Sequence, residues 1–389
     1  MYSRRPVFAA ACMGMLVFGI VLTALGSLLP SLMSRFGLAN AAAGSLFPML
    51  TLGILAGSVV FGPVVDRNGY KALLVVSVAL IVVGLEGIAL APSVGFVAGS
   101  LALIGLGGGV VNGATNALVA DISEEGSRSA GLSLLGVFFG VGAFGMPFLL
   151  GLLLHRFSYG AIVAGIGAAV AVPLVFTLGV RFPEPKQPQG FPLRRGVGLL
   201  RDPVLALLGF TLFFESGMEI TVGGWTAAYV QASLGLAADR ALFFLSLYWL
   251  GMMVARLLLG GLLRRTSPAR ALYASVAIAL AGAAVMLTGA STTTAAIGSG
   301  LLGFGFAAVF PVVLGYVGDR YAAVSGTAFS VVIVMALIGG TALPYLTGVL
   351  GDAVGLRASF AIVPVSLCLM ALVFTAARRS LAAAPAPAS

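Results

Sequence analysis

Glu215 and Glu219 stand four residues apart in an apolar run, 203–231, that holds no other Asp, Glu, Lys, Arg or His. On a continuous helix that spacing puts both on one face. Two carboxylates so close do not both hold charge cheaply, which equips the pair to gain and lose a proton. Glu86 is a third acid in an apolar run, and Arg256 is a lone basic residue in another. Asn112 and Asn116 are again four apart, giving a helix face with amide donors and carbonyl acceptors. In an apolar medium each such group is expensive and marks a pathway or a partner.

The elements that carry these residues are set by composition. Of 389 residues, 60% are hydrophobic and 8% charged, with a mean hydropathy of +1.12, more apolar surface than an aqueous fold can hide. Twelve stretches are long enough to cross a hydrocarbon core, which takes about 20 helical residues. They run over 6–33, 41–65, 72–91, 95–120, 130–154, 159–180, 203–231, 241–262, 271–290, 294–317, 324–350 and 356–377. Backbone polar groups in a bilayer need internal partners, and runs this long and continuous predict helices rather than a closed barrel. The expected fold is an all-α polytopic membrane protein.

The chain also repeats itself. Gly105, Gly107 and Asp121 align with Gly303, Gly305 and Asp319 at a shift of 198, as Gly26, Gly37 and Leu38 do with Gly224, Gly235 and Leu236. Pro147 and Gly151 align with Pro344 and Gly348 at 197. An internal repeat made of apolar helices predicts two pseudo-symmetric six-helix bundles with a substrate site between them. The expected organisation is an N-terminal bundle over 1–180, a cytoplasmic linker over 181–202, a C-terminal bundle over 203–378 and a disordered tail over 379–389. The linker is rich in proline and arginine and suits a tether on an anionic leaflet.

Placing the N-terminus in the cytoplasm puts sixteen of the 21 Lys and Arg on the inner side and four outside (Arg35, Arg156, Arg240, Arg357), with Arg256 inside a span. By the positive-inside rule both termini are cytoplasmic, and the location is a bacterial inner membrane. The net charge of +9 is thus topological, and nucleic-acid binding is not expected. Cys12 and Cys368 fall in the first and last spans and are read as small buried hydrophobes. One histidine, His155, and no metal-ligand cluster or nucleophile elbow argue against an enzyme. The two-fold repeat argues against a channel. No metal or cofactor is expected beyond a coupling ion, H+ or alternatively Na+; the partners expected are a small solute and the bilayer, with the chain as a monomer.

At the turn after the second span the chain reads Gly62-Pro63-Val64-Val65-Asp66-Arg67-Asn68-Gly69-Tyr70-Lys71. This resembles the signature loop of the major facilitator superfamily, and Asp66, Arg67 and Lys71, with Arg256, are assigned to a cytoplasmic latch. The counterpart at 261–270 keeps its arginines but has no acid. The stretch Gly217 to Tyr229 is similar to helix seven of the fucose permease-like branch, with Glu219 six residues before Trp225. Ser246 to Arg256, with Tyr248 and Trp249, resembles its helix eight, and Gly105 to Asn116 its helix four. The resemblance implies proton-coupled symport of a monosaccharide by alternating access. Solute contacts would come from Asn112, Asn116, Glu219 and Trp225, with Tyr248, Trp249 and Phe310, and coupling from Glu219 and Glu215. A straight helix turns Trp225 away from Glu219, so this assignment expects the helix to open at Gly223-Gly224.

The pattern also departs from that branch. Sugar symporters of this type carry acids in helices one and four; here span one offers Thr23 and Ser27, and Asn112 stands where the helix-four acid would be. A drug/proton antiporter with an aromatic cavity of Phe138, Phe139, Phe306 and Phe310 is the alternative, as is a sodium-coupled or uncoupled sugar carrier.

Overall fold

The computed structural model describes residues 2–123, 128–184, 202–263, 265–321 and 325–383; the side chains of Asp66 and Arg67, most of the linker and the end of the tail lie outside the described residues. Among the described residues twelve helices are long and apolar enough to cross a membrane: Arg4–Phe36, Asn40–Phe61, Asn68–Leu90, Val94–Ile122, Gly131–Leu153, Tyr159–Gly179, Pro203–Leu234, Ala238–Leu263, Pro268–Thr288, Thr292–Arg320, Ala328–Val354 and Leu356–Ala382. These are spans one to twelve below. Each coincides with one of the twelve stretches read from hydropathy, and no strand occurs among the described residues.

The chain forms two compact units, Met1–Phe191 with Leu236–Ser246, and Pro192–Gly235 with Leu247–Ser389. Within each unit, helices approach at glycines, and the approaches repeat. In the first unit a side chain on Gly105 would collide with the Leu50 carbonyl; in the second, one on Gly303 would collide with that of Tyr248. Both members of each pair are displaced by 198 residues. Gly53 against Ala102 is matched by Gly251 against Gly300, and Gly142 against Leu16 by Gly339 against Phe213. Small residues let backbones meet where lipid supplies no hydrophobic drive for association, so the repeat is a repeat of helix contacts. Gly37 and Gly235, also 198 apart, end spans one and seven in the left-handed conformation at φ 61° and 64°, which favours glycine.

Span seven begins at Asp202, whose carboxylate accepts from Val204 N at 2.8 Å, with Pro203 in the first turn. The other carboxylate oxygen accepts from the Tyr321 hydroxyl at 2.7 Å, pinning the start of span seven to the end of span ten. Burial and the Asp202 carboxylate push the Tyr321 phenol up to about 12, so this bond persists across the neutral range. Span ten is interrupted at Ala307 and Ala308, between Thr292–Phe306 and Val309–Arg320. Pro311 has no N–H to offer the Ala307 carbonyl, which accounts for the break. Cys12 is buried as expected, but Cys368 is exposed on span twelve, because the flank of a membrane helix that faces lipid tolerates an apolar side chain as well as the interior does.

Candidate functional site

Glu215 and Glu219 share one face of span seven, and Arg256, from the part of span eight that belongs to the same unit, is their partner. Arg256 Nη2 lies 3.6 Å from Glu219 Oε2. Glu215 is sealed at 1% exposure, and its Oε1 has no hydrogen-bond partner among the described residues. Its carboxyl interacts with Glu219 and with Arg256. The side chains of Arg256 and Glu219 keep 33% and 12% of their surface. The three charges are thus graded from sealed to accessible. The Tyr248 hydroxyl donates to the Glu219 carbonyl at 3.4 Å, and the same three charged groups surround it. Its ring meets Trp249 and Phe306 edge-on at 5.1 and 6.2 Å.

Arg256, which the sequence assigned to the latch, stands against Glu219. From mid-helix its guanidinium reaches the carboxylate one helix away, where a buried acid most needs a countercharge. Nor does span seven open at Gly223-Gly224: the helix Pro203–Leu234 is continuous, and neither glycine has a positive φ. The small size of Gly223 serves packing instead, since a Cβ there would stand 2.9 Å from Trp249 Cζ2. Trp225, expected to turn toward solute, is fully buried and donates Nε1 to the Pro344 carbonyl at 3.0 Å. It ties span seven to the proline of span eleven. Trp249 is likewise buried at 3% exposure, against Tyr248 and Gly223. Phe310 keeps partial exposure just beyond the break in span ten.

Asn112 and Asn116 lie half-buried in the first unit. On their shared helix face the two side chains meet: Asn116 Nδ2 donates to the Asn112 carbonyl at 2.8 Å and to its Oδ1 at 3.1 Å. Phe139 is buried against Phe18 at 5.8 Å. Glu86 packs against Gly167 of span six.

Of the expected latch, Asp66 and Arg67 lie outside the described side chains. Lys71 donates to the Leu178 carbonyl at 2.6 Å, capping span six, and Tyr70 donates to Asp121 Oδ2 at 2.7 Å. The sequence reading missed both tyrosine–aspartate ties, although Asp121 stood out as a landmark of the repeat. No group of three or more His, Cys, Asp or Glu could hold a metal ion among the described residues.

Comparison with known proteins decides the family. The profile of the Major Facilitator Superfamily matches residues 11–322. The chain belongs to this superfamily. It is 28% identical over 306 residues to the uncharacterized MFS-type transporter YfkL of Bacillus subtilis, covering 77% of each chain. It is 28% identical over 165 residues to a glucose/galactose transporter of Brucella abortus, 41% of this chain and 38% of that one. It is 27% identical over 251 residues to the multidrug efflux pump LfrA of Mycolicibacterium smegmatis, covering 63% and 47%. Two solved structures share the fold. A bacterial homologue of the lysosomal transporter Spinster superimposes with a TM-score of 0.79 at 16% identity over 99% of this chain and 100% of that one. The nucleoside transporter NupG gives 0.81 at 14% identity, covering 96% and 99%. This member of the superfamily is therefore a multi-pass membrane transporter and not an enzyme.

Proposed function

We propose that this transporter moves a small polar solute of monosaccharide size together with a proton, exposing its site alternately to the two faces of a bacterial inner membrane. The observation that carries the reading is the acid pair of span seven with Arg256 set against it. Three ionisable groups at that depth have no structural necessity, since their mates at the 198-residue shift are Val17, Val21 and Ser58, which build the same helices without charge. Intramembrane charge kept at such cost belongs to a solute or ion path. The glucose/galactose relative supports a hydroxylated solute, and the fold supports alternating access.

Substituting Glu219 by Gln in protein reconstituted into liposomes tests the coupling. Solute counterflow is expected to survive, because exchange needs no net proton movement, while uphill accumulation driven by an inward proton gradient falls at least tenfold. Accumulation that stays intact in that variant would sink the assignment. A drug/proton antiporter would show the opposite sign, with an inward gradient expelling hydrophobic cations.

A further inference from the structure

We propose that spans nine and twelve hold the phosphate of an anionic phospholipid between Arg270 and Arg378, in the leaflet on the side of the C-terminus. Both helices belong to the second unit, and a hydrogen bond between the Tyr273 hydroxyl and Thr375 Oγ1 at 2.8 Å ties them together. The Tyr273 ring meets buried Phe374 edge-on at 5.6 Å, and Phe374 meets Tyr316 of span ten in the same way at 5.8 Å. On this anchored pair the two arginines fall at one level. Span nine runs away from that side and span twelve toward it. Arg270, three residues before Tyr273, and Arg378, three after Thr375, therefore both lie about 4.5 Å nearer the membrane surface than the tie. The Arg378 guanidinium carbon is 5.9 Å from the centre of the Tyr273 ring, and Arg270 shares the helix face of Tyr273.

Arg35, Arg357 and Lys71 direct their charge to carbonyls at helix ends. Arg270 and Arg378 do not. Both are exposed, and among the described residues neither guanidinium has an ion pair or a hydrogen bond. Asp319, one turn past Tyr316 on span ten, is paired with neither. Two such guanidiniums suit a phosphate, whose oxygens take their N–H groups in parallel pairs. A zwitterionic headgroup would bring its own cation beside two arginines, so the lipid carries net negative charge. The surface below marks the ligand as a lipid. Arg270 heads an exposed face of span nine made of Ala274, Ala277, Ala281 and Ala284. From Ala274 to Ala284 this smooth strip is about 15 Å long, the depth of one leaflet in a core of about 30 Å. An acyl chain laid along it keeps its phosphate at Arg270, and a soluble phosphate has no use for the strip. Basic pockets between helices on the inner side are where anionic headgroups bind membrane proteins. Bound there, the phosphate bridges the two helices and reinforces the bond between Tyr273 and Thr375.

The test melts the purified full chain in maltoside detergent with dioleoyl-phosphatidylglycerol, with dioleoyl-phosphatidylcholine, or with glycerol 1-phosphate and no lipid. Saturating phosphatidylglycerol is expected to raise the midpoint by about 5 °C, because it binds the folded state alone, and the other two by less than about 1 °C. Arg270→Gln and Arg378→Gln should each lose at least half of that rise, measured from the variant's own lipid-free midpoint. Arg5→Gln, which removes an exposed arginine of the first unit on the same side, should keep it. An equal rise with phosphatidylcholine, or a rise that all three variants retain, would overturn the site. A rise with glycerol 1-phosphate equal to that with phosphatidylglycerol would overturn the lipid as its ligand. The parent protein decides the matter even if the arginine variants fail to fold. A phosphatidylglycerol with a diazirine on its headgroup should crosslink to peptides covering 268–277 and 374–382, and crosslinks spread over all the basic ends of the chain would overturn the proposal.

Discussion

Trp225 shows how one residue divides a binding role from a scaffolding one. Tryptophan near an intramembrane glutamate reads as a surface for a sugar ring, and nothing in its neighbours' identities says otherwise. What decides is a carbonyl 119 positions away, Pro344 O, which takes the indole N–H in a fully buried bond. Such a partner is invisible in one sequence because it depends on which helices pack together. Trp225→Phe keeps most of the ring and removes the donor, so the loss should be about 1 kcal/mol of stability. Melting of the purified variant should fall by the corresponding few degrees while solute affinity stays within twofold. A large loss of affinity with unchanged melting would return Trp225 to the binding surface. The acids were legible for a different reason: an ionised group in hydrocarbon is anomalous whatever surrounds it. Arg256 was legible as anomalous too, and as a countercharge for one of the two acids; that Glu219 is the nearer one shows only in the packing of spans seven and eight.

At the scale of helices, the twelve spans and the repeat were legible because hydropathy and glycine spacing are local properties of the chain. The contacts explain why those glycines recur. Gly303 sits against the Tyr248 carbonyl, as Gly105 sits against that of Leu50, so each carries a crossing between two helices of its unit. Three residues away, Gly300 has open space where a Cβ would go. Gly303→Ala must therefore push span ten off span eight, at a cost of about 1–3 kcal/mol from overpacking, and displace Tyr248 from Glu219. Gly300→Ala should be neutral or slightly stabilising, as alanine for glycine in a helix interior usually is. Melting temperatures of the two purified variants check this directly. Equal behaviour would mean that the close approach at Gly303 does not bear on stability.

Across the whole molecule, packing is repeated while charge is not. The glycine contacts of one unit recur in the other, but Glu215, Glu219 and Arg256 have only Val17, Val21 and Ser58 as mates. Under the proposed function, the duplicated scaffold supplies two similar bodies, and the span-seven acids with Arg256 are the place where the ion would act. The remaining charges bear on the orientation expected from the sequence. Of the four arginines on the side opposite the termini, Arg357 donates to the Leu287 and Gly289 carbonyls at 3.0 and 3.3 Å, and Arg35 donates to Ala91 O at 2.9 Å and to the Tyr159 hydroxyl. Both satisfy carbonyls at helix ends, where a cation is favoured. These arginines have a structural reason to stand on the less basic side, and setting them apart strengthens the bias of the rest. Both termini are then expected in the cytoplasm. Ser3 and Ala237 are exposed, at the start of span one and just before span eight, on opposite sides of the membrane in this topology. Ala237→Cys should react with a membrane-impermeant maleimide added to intact cells, and Ser3→Cys only after the cells are opened. The native cysteines give little background, Cys12 being buried and Cys368 lying within the hydrocarbon span. The reverse labelling would invert the topology, making the more basic side the outer one and turning the proton path of the acid pair around with it.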